Sequence, residues 1–436
     1  MAKINCGETN ILRTHEGAPA KRISPLRELK RTVLACLLWE DTFYEDGEDV
    51  ATRIATLVKK NEPKDVSDLA IHARKTGKLR HVPLLLAREL ARVAKGRIVG
   101  DTIYNVIQRA DELTEFLAIY WKDNKDQPLS AQVKQGLARA FRKFDAYALG
   151  KYNQDGPVKL RDVLFLSHAK PKNDEQAAIW KKLIDGTLPT PDTWEVALSA
   201  GADKKETFER LLKEGKLGYL ALLRNLRNME QAGVNHQLVE QALLNGDASR
   251  VLPFRFLAAA RHAPQYEATL DKMMIAALDK INIARFSGTT GLYIDVSGSM
   301  TGKVSRKSDL SRLDAAKALA ILLRGIADCR VFAFNTGVWE IPSRQGMALA
   351  DAIGEASGGT AVDVVVDHGN KLSFDRIIVI TDEQSHDQVA SPVKRGYMIN
   401  VATFQNGVGY GKWLHLDGFS ESIVNYIRGY ELMIEE

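Results

Sequence analysis

The chain has 436 residues, of which 45% are hydrophobic and 26% charged. At ~100–200 residues per domain this length predicts two to three domains, and the composition argues against a largely disordered chain. Three scattered cysteines, Cys6, Cys36 and Cys329, exclude a disulfide framework or a cysteine-based zinc site. No apolar run approaches the ~18 residues of a membrane helix, and the first twenty residues contain no apolar signal segment. We therefore expect a soluble cytoplasmic protein.

The net charge of +5 hides an asymmetry between the two parts of the chain. Residues 1–286 carry +9 and residues 287–436 carry −4, and residues 51–100 alone carry +8. A basic segment is typical of proteins that bind polyanions, although a solvated helical face gives the same count. The aromatic residues show no pattern of base-stacking platforms, so stacking of single-stranded nucleic acid is not indicated.

Between residues 26 and 280, apolar residues recur three or four positions apart and predict about a dozen helices without strands. Two long patterns cover residues 102–122 and 130–149, with Asp101 and Ser130 as their N-caps. Gly100 is expected to separate helices. Helices with short joints predict stacked antiparallel pairs, which form a structural repeat without an exact sequence period.

The pattern changes near Ser287 to strands that alternate with helices. TTGLYIDVSGSM is predicted to be a strand that runs into a polar loop, and DCRVFAFN, DRIIVITDEQ and MINVATF are predicted strands. SDLSRLDAAKALAILLRGIA, MALADAIGEA and GFSESIVNYIRGYE are predicted helices. Such alternation predicts a doubly wound parallel sheet, which binds ligands at the carboxyl ends of its strands.

Oxygen-bearing side chains cluster at those strand ends. Asp295, Ser297 and Ser299 alternate after one strand, Thr360 follows two glycines, and Asp382 ends another strand. Hydroxyls and carboxylates around one point favour Mg²⁺ or Mn²⁺, although the two aspartates could instead only cap loops. DxSxS with a distal Thr in GGT and a distal Asp in TDE resembles the metal-ion-dependent adhesion site of a von Willebrand factor A domain, over roughly the last 150 residues.

The helical half, taken together with the strand and loop that follow it, resembles a more specific family. The segments SPLRELKRTVLACLLWEDTFYEDG, IHARKTGKLRHVPLLLARELA, YALGKYNQDGPVKLRDVLFLSHAKP and LALLRNLRNMEQAGV, followed by LYIDVSGSM, resemble the Ro autoantigen family and its TROVE module. The resemblance implies a HEAT-like ring of antiparallel helical repeats over residues 24–286, after an N-terminal extension (1–23). A von Willebrand factor A-like domain over residues 287–436 would close this all-α ring.

The resemblance also implies RNA partners. Ro proteins bind small noncoding Y RNAs on the outer face of the ring and take single-stranded 3′ ends of misfolded or immature RNA through its hole. Lys151 and His168 match basic positions that the family uses for Y RNA, and Lys170 lies beside them. Asp155 stands where the family presents a basic residue, which is a departure from the Y RNA site.

A second basic turn contains Arg74, Lys75, Lys78, Arg80 and His81. Its cations could contact RNA phosphates or only form a solvated face, and the sequence favours neither interpretation over the other. We take Arg74 and Arg80 as the candidate RNA contacts of this turn.

The sequence therefore predicts a monomeric RNA-binding scaffold of a Ro-like ribonucleoprotein, which would cooperate with an exoribonuclease and carry Mg²⁺ or Mn²⁺. The alternative is a protein-recognition scaffold that uses the metal site of its A domain without RNA. The motifs GxxxxGK[ST], HExxH and GxSxG are absent from the sequence, so no enzymatic activity is expected.

Overall fold

The computed structural model describes residues 24–34, 47–77, 79–123, 127–153, 156–249, 251–280, 285–304, 310–402, 407–408, 411–418 and 422–435. The predicted N-terminal extension, Cys6, Cys36, Lys78 and Asp155 lie outside these ranges. Within them the architecture has two parts, a helical half and a six-stranded α/β half. This confirms the predicted fold class.

The helical half contains sixteen α-helices within the described ranges. The first ten are α1 (Pro25–Leu34), α2 (Gly47–Lys59), α3 (Pro63–Lys75), α4 (His81–Val93), α5 (Arg97–Val106), α6 (Asp111–Tyr120), α7 (Ala131–Phe141), α8 (Ala146–Tyr152), α9 (Leu160–Ser167) and α10 (Asp174–Ile184). The remaining six are α11 (Trp194–Ser199), α12 (Lys204–Lys213), α13 (Tyr219–Gln231), α14 (His236–Asn245), α15 (Pro253–His262) and α16 (Glu267–Lys280). Among the helices of the described ranges, none is both long enough and apolar enough to cross a membrane.

The α/β half follows in the order β1 (Thr289–Asp295), α17 (Arg312–Ile326), β2 (Asp328–Phe334), β3 (Val338–Glu340), α18 (Gly346–Ile353), α19 (Val362–Lys371), β4 (Arg376–Thr381), β5 (Arg395–Asn400), β6 (Leu414–Asp417) and α20 (Ser422–Glu435). The strands lie in the order β3-β2-β1-β4-β5-β6. All neighbours are parallel except β3, which pairs antiparallel with β2 at one edge. The carboxyl ends of β1 and β4 therefore lie side by side at the middle of the sheet.

The pattern over residues 102–122 is two helices, because α5 ends at Val106 and α6 begins at Asp111. Glu112 accepts hydrogen bonds from the backbone amides of Gln108 and Arg109, at 2.7 and 3.0 Å, and so holds the turn between the two helices. Asp101 lies inside α5 and pairs with Arg139 of α7, so its predicted role as an N-cap is wrong.

The pattern over residues 130–149 also divides, into α7 and α8. Ser130 does cap α7, because its hydroxyl accepts from the amide of Val133 at 3.3 Å. Asp145 caps α8 in the same way. Gly100 does not separate helices but lies inside α5, where a Cβ on the facing Gly136 would approach its carbonyl oxygen to 2.9 Å. These two glycines let α5 and α7 pack closely.

Three hydrophobic clusters hold the molecule together. One contains buried residues from Leu29 to Leu188 and belongs to the helical half alone. A second joins helices α12–α16 to α17, α18, α20 and one face of the sheet. The third lies on the opposite face, under α19. The helical half therefore shares a core with the α/β half from about Phe208 onward.

The helical half contacts the α/β half at both of its ends. Helix α1 packs against β6, and α15 packs against α17. At the second contact Arg261 forms a bidentate ion pair with Asp314, whose carboxylate also accepts from the amide and hydroxyl of Ser311 at the start of α17. These two contacts close the helical repeats into a ring through the α/β half.

Candidate metal and nucleic-acid sites

The first loop of the candidate metal site follows β1. Asp295 is fully buried and accepts hydrogen bonds from the amide of Ser297 at 2.8 Å and from the hydroxyl of Thr381 at 2.5 Å. A short 3₁₀ turn over Gly298–Thr301 then brings the Ser299 hydroxyl within 3.2 Å of the Ser297 hydroxyl. The alternate spacing of the motif therefore puts its side chains together, as predicted.

The second loop follows β4, which pairs with β1 in parallel register. This register places Asp382 at the same edge of the sheet as Asp295, and Asp382 is also fully buried. Burial and the neighbouring charge of Asp382 raise the pKa of Asp295 to about 7. Two buried carboxylates that repel each other form a site that a cation would stabilise.

The third loop carries Thr360 and is held to the first by backbone hydrogen bonds. Gly298 donates to the carbonyl of Gly358 at 2.8 Å, and Ser357 donates to the carbonyl of Val296 at 2.7 Å. Gly358 has a φ of 78°, a left-handed conformation that favours glycine. The structure thus places all five candidate metal ligands on three adjacent loops at the carboxyl edge of the sheet.

The residues present fit a hard divalent cation. Two carboxylates and three hydroxyls offer oxygen donors, which Mg²⁺ and Mn²⁺ prefer. Within the described ranges there is no group of three or more His, Cys, Asp or Glu side chains arranged to hold a metal, so the candidate site depends on its serine and threonine hydroxyls.

This site also contains one cation that the sequence did not predict. Arg312, in the first turn of α17, is buried, and its Nη1 lies 3.4 Å from Oδ2 of Asp382 and 3.5 Å from the carbonyl of Ser299. One guanidinium does not balance two carboxylates. No local sequence signal marks Arg312, because its contacts come from a helix that folds back onto the loops.

The three RNA residues implied by family resemblance differ in their surroundings. His168 and Lys170 are exposed, and neither forms an ion pair within the described ranges. His168 ends α9 in a left-handed conformation, with φ of 52°. Lys151, at the end of α8, lies 3.3 Å from Glu195 and has only 22% of its side chain exposed. His168 and Lys170 are thus available to an anion, whereas Lys151 already has a carboxylate partner.

The second basic turn is tied to acidic side chains. Arg74 donates to the fully buried Glu112 at 2.6 Å and to the carbonyl of Val106 at 3.1 Å. Arg80 pairs with Asp111 at 2.6 Å and with Glu115. The charges of both arginines are therefore already paired with carboxylates of the helical half. The geometry gives no support to the prediction that Arg74 and Arg80 contact RNA.

Comparison with known proteins places these sites in context. Residues 185–280 match the TROVE domain family. The chain is 40% identical over 89 residues to telomerase protein component 1 of Mus musculus and 39% identical over 89 residues to that of Rattus norvegicus. These matches cover 19% of this chain and only 3% of either relative.

A solved structure is similar over nearly the whole molecule. The Ro protein (Rsr) of Deinococcus radiodurans superposes with a TM-score of 0.63 and 18% identity, covering 93% of this chain and 100% of that one. This likeness shows that the two chains share a fold.

Proposed function

Because residues 185–280 match the TROVE domain family and the chain shares the fold of a Ro protein, we propose that it is a Ro-like protein that serves as the RNA-binding scaffold of a ribonucleoprotein and has no catalytic role. The observation that carries the proposal is the pair His168 and Lys170, which are exposed at one place and have no carboxylate partner among the residues that the structure describes. An exposed lysine such as Lys170 can neutralise a phosphate without first breaking an ion pair, and an exposed imidazole such as that of His168 can hydrogen-bond to one.

The finer proposal concerns which RNA is bound. We propose a small Y-like noncoding RNA on the face that carries His168 and Lys170, and 3′ ends of misfolded or immature RNA in the ring. The charge of +9 over residues 1–286 against −4 over residues 287–436 supports binding by the helical half. We further propose that the protein is a monomer in the cytoplasm and that it delivers bound RNA to an exoribonuclease.

We also propose that the three loops bind Mg²⁺ or Mn²⁺. Ser297, Ser299 and Thr360 would ligate through their hydroxyls, and Asp295 and Asp382 directly or through water. A bound divalent ion would offset the repulsion between the two buried carboxylates, and it could accept an oxygen ligand from a partner.

The test is a binding measurement on the full chain with a hairpin RNA that has a single-stranded 3′ tail, against a blunt duplex of the same stem and a DNA duplex of the same sequence. Tighter binding of the tailed RNA supports the proposal. Equal, weak binding of all three probes, with no RNA retained by the protein purified from its cells, would instead favour a metal-dependent protein-recognition scaffold.

A further inference from the structure

Helix α17 begins beside the candidate metal loops, and its first residue is Arg312. The backbone amide of Arg312 donates to the carbonyl of Gly302 at 2.8 Å, and Gly302 directly follows the 3₁₀ turn of the first loop. Lys303 and Ser311 form an isolated antiparallel bridge next to this bond. The start of α17 is therefore joined by its backbone to the loop that carries Ser299.

The same helix start is also fixed from the helical half. The Asp314 carboxylate accepts from the amide and the hydroxyl of Ser311, at 2.7 and 2.8 Å, and forms the bidentate ion pair with Arg261 of α15. A helix start that is held on both sides keeps the Cα of Arg312 in place. The guanidinium can therefore change its position only by rotation about the bonds of the side chain.

This guanidinium lies against a carboxylate that is a candidate metal ligand. Nη1 of Arg312 is 3.4 Å from Oδ2 of Asp382, and the two side chains are 2% and 0% exposed. Asp295, the other buried carboxylate, forms no ion pair with any residue that the structure describes, and it accepts from neutral groups of Ser297 and Thr381. Arg312 therefore supplies positive charge beside the candidate ligands of the divalent ion.

The charge of Arg312 is not shared with the next carboxylate along the loop. Glu383 is paired with Arg31 at 2.7 Å and with His415 at 2.6 Å. A guanidinium does not lose its proton in proteins, whereas a lysine in this place could release one when a cation binds. A divalent ion that binds to Asp382 therefore meets a fixed positive charge.

We infer that Arg312 is a built-in cation that competes with the divalent ion for Asp382. This inference rests on the proposed binding of Mg²⁺ or Mn²⁺ and adds that Arg312 sets the affinity of the site. At low metal concentration the guanidinium offsets part of the repulsion between the two buried carboxylates. It also repels an ion that binds to them, because like charges interact strongly where water is excluded. Arg312 thus stabilises the loops and weakens metal binding.

Titration of the full chain with Mn²⁺ in a calorimeter, at one ionic strength, tests the competition. Arg312→Gln and Arg312→Met remove the charge, and each should bind Mn²⁺ about tenfold or more tightly than the wild-type protein. Arg312→Lys keeps a positive charge and should bind within about threefold of the wild-type protein. A lysine variant that binds as tightly as the two neutral variants would overturn competition by charge.

Arg324→Gln is the matched control, because it removes an arginine from the last turn of the same helix. Arg324 donates to the carbonyl of Cys329 at 3.1 Å. At about 1.5 Å per residue it lies about 18 Å from Arg312 along the helix, which exceeds the ~8–10 Å over which charges interact in dilute salt. This variant should bind Mn²⁺ with the affinity of the wild-type protein.

Thermal unfolding gives a second readout. In the presence of a chelator, the two neutral variants should unfold at a lower temperature than the wild-type protein, because buried Asp382 loses its cation. Saturating Mn²⁺ should raise their unfolding temperature by more than it raises that of the wild-type protein, since tighter binding stabilises more. A neutral variant that folds only with Mn²⁺ supports the competition, and one that stays unfolded in Mn²⁺ contradicts it.

The outcomes separate this inference from the proposed metal site. If the wild-type protein and the neutral variants bind Mn²⁺ equally, metal binding stands and the role of Arg312 is overturned. If the neutral variants bind more weakly, Arg312 orients Asp382 for the ion and does not compete with it. If neither the wild-type protein nor any Arg312 variant binds Mn²⁺, the metal site itself fails, and the competition fails with it.

Discussion

Arg31, in the first helix, donates from Nη1 to Oε2 of Glu383 across 2.7 Å, and both side chains are fully buried. The partners are 352 positions apart in the chain. Glu383 directly follows Asp382, so neighbouring residues of one loop serve the candidate metal site and the contact with α1. The ring thus closes beside the loops that are proposed to bind the cation.

Breaking this pair should strongly destabilise the fold. Arg31→Met leaves the Glu383 carboxylate buried without its guanidinium, and we expect the free energy of unfolding to fall by about 3–5 kcal/mol in urea titrations. Arg27→Met, an exposed position on the same helix, should stay within about 0.5 kcal/mol of wild type. The double variant Arg31→Met/Glu383→Met should lose less than the sum of the two single losses, and strict additivity would show that the pair does not couple.

The same closure should make stability depend on pH through His415. Its Nδ1 lies 2.6 Å from Glu383 and its Nε2 lies 2.8 Å from Asp417. Burial lowers the pKa of His415, but the carboxylates of Asp417 and Glu383 raise it by more than burial lowers it, and the resulting pKa is about 9. Because this value lies above the ordinary 6.5, the stabilisation is complete below pH ~6.5 and disappears as the pH rises through 9.

We therefore expect the free energy of unfolding, measured in the presence of a chelator, to fall by on the order of 2 kcal/mol between pH 6.5 and pH 9. Besides His415 and Asp417, the titratable groups that line the crevice between α1, α3 and β6 are Lys30, Asp65, Asp68, His72 and Tyr426. His415→Gln should flatten the dependence of the free energy of unfolding on pH. His72→Gln should leave the decrease between pH 6.5 and pH 9 unchanged. A His415→Gln protein with the wild-type slope would assign the pH dependence to other groups.

The candidate metal site predicts a metal-dependent stability that its carboxylates control. Mn²⁺ at about 100 times its dissociation constant should raise the free energy of unfolding by about 2.7 kcal/mol. Asp295→Ala and Asp382→Ala should abolish this gain and the heat of Mn²⁺ binding in calorimetry. In the presence of a chelator, Asp295→Ala should stay within about 1 kcal/mol of wild type, because it removes one of two repelling charges.

Asp328→Ala provides the matched control for this prediction. Asp328 is exposed at the beginning of β2, at the opposite edge of the sheet from the three loops. This variant should keep the full gain with Mn²⁺. Equal Mn²⁺ binding by the wild-type protein and Asp295→Ala would contradict the assignment of the site.

The sequence predicted those parts of the fold and site that depend on local patterns. Strands β1, β2, β4 and β5 each contain a short apolar run, although β5 begins at Arg395, three residues before the predicted segment MINVATF. The five candidate metal ligands follow strands or glycines. Helix α19 was missed because Val362, Val364, Val365 and Val366 have low helix propensity, and its packing on the sheet overrides that preference. Strands β3 and β6 were missed because three or four residues at a sheet edge carry too short a pattern.

Contacts between distant segments could not be predicted from local patterns. Arg74 and its partner Glu112 are 38 positions apart, so the local density of basic residues gave no indication that Arg74 is paired with a carboxylate. Phe165 fits the apolar pattern of α9, and only the packing of α10 shows that it stays exposed. Charge and periodicity give the number of cations and apolar residues, but the fold decides which of them have partners.

Arg74 consequently tests whether a basic residue serves stability or RNA. Arg74→Ala removes the guanidinium from buried Glu112, and we expect a loss of about 3 kcal/mol or more in the free energy of unfolding. RNA affinity, measured well below the unfolding temperature, should change less than about twofold. A large loss of affinity with unchanged stability would restore Arg74 as an RNA contact.

The salt dependence of RNA binding should distinguish partnered from unpartnered lysines. Each phosphate contact that is lost should reduce the slope of log affinity against log salt by roughly 0.7–0.9. Lys170 has no carboxylate partner within the described ranges, so Lys170→Ala should weaken binding and flatten the slope by about one such step. Lys151 lies 3.3 Å from Glu195, so Lys151→Ala should change the slope less.

Lys371, at the end of α19 in the acidic half, is the control for these lysines. Lys371→Ala should leave both the affinity and the slope unchanged, because the helical half carries the proposed RNA face. The measurement is filter binding of the tailed hairpin RNA between about 50 and 200 mM salt, the range over which phosphate contacts dominate the change in affinity. Equal slopes for Lys170→Ala, Lys371→Ala and the wild-type protein would contradict a phosphate contact by Lys170. The loss of a lysine that contacts a phosphate must reduce the slope, because fewer counterions are then released on binding.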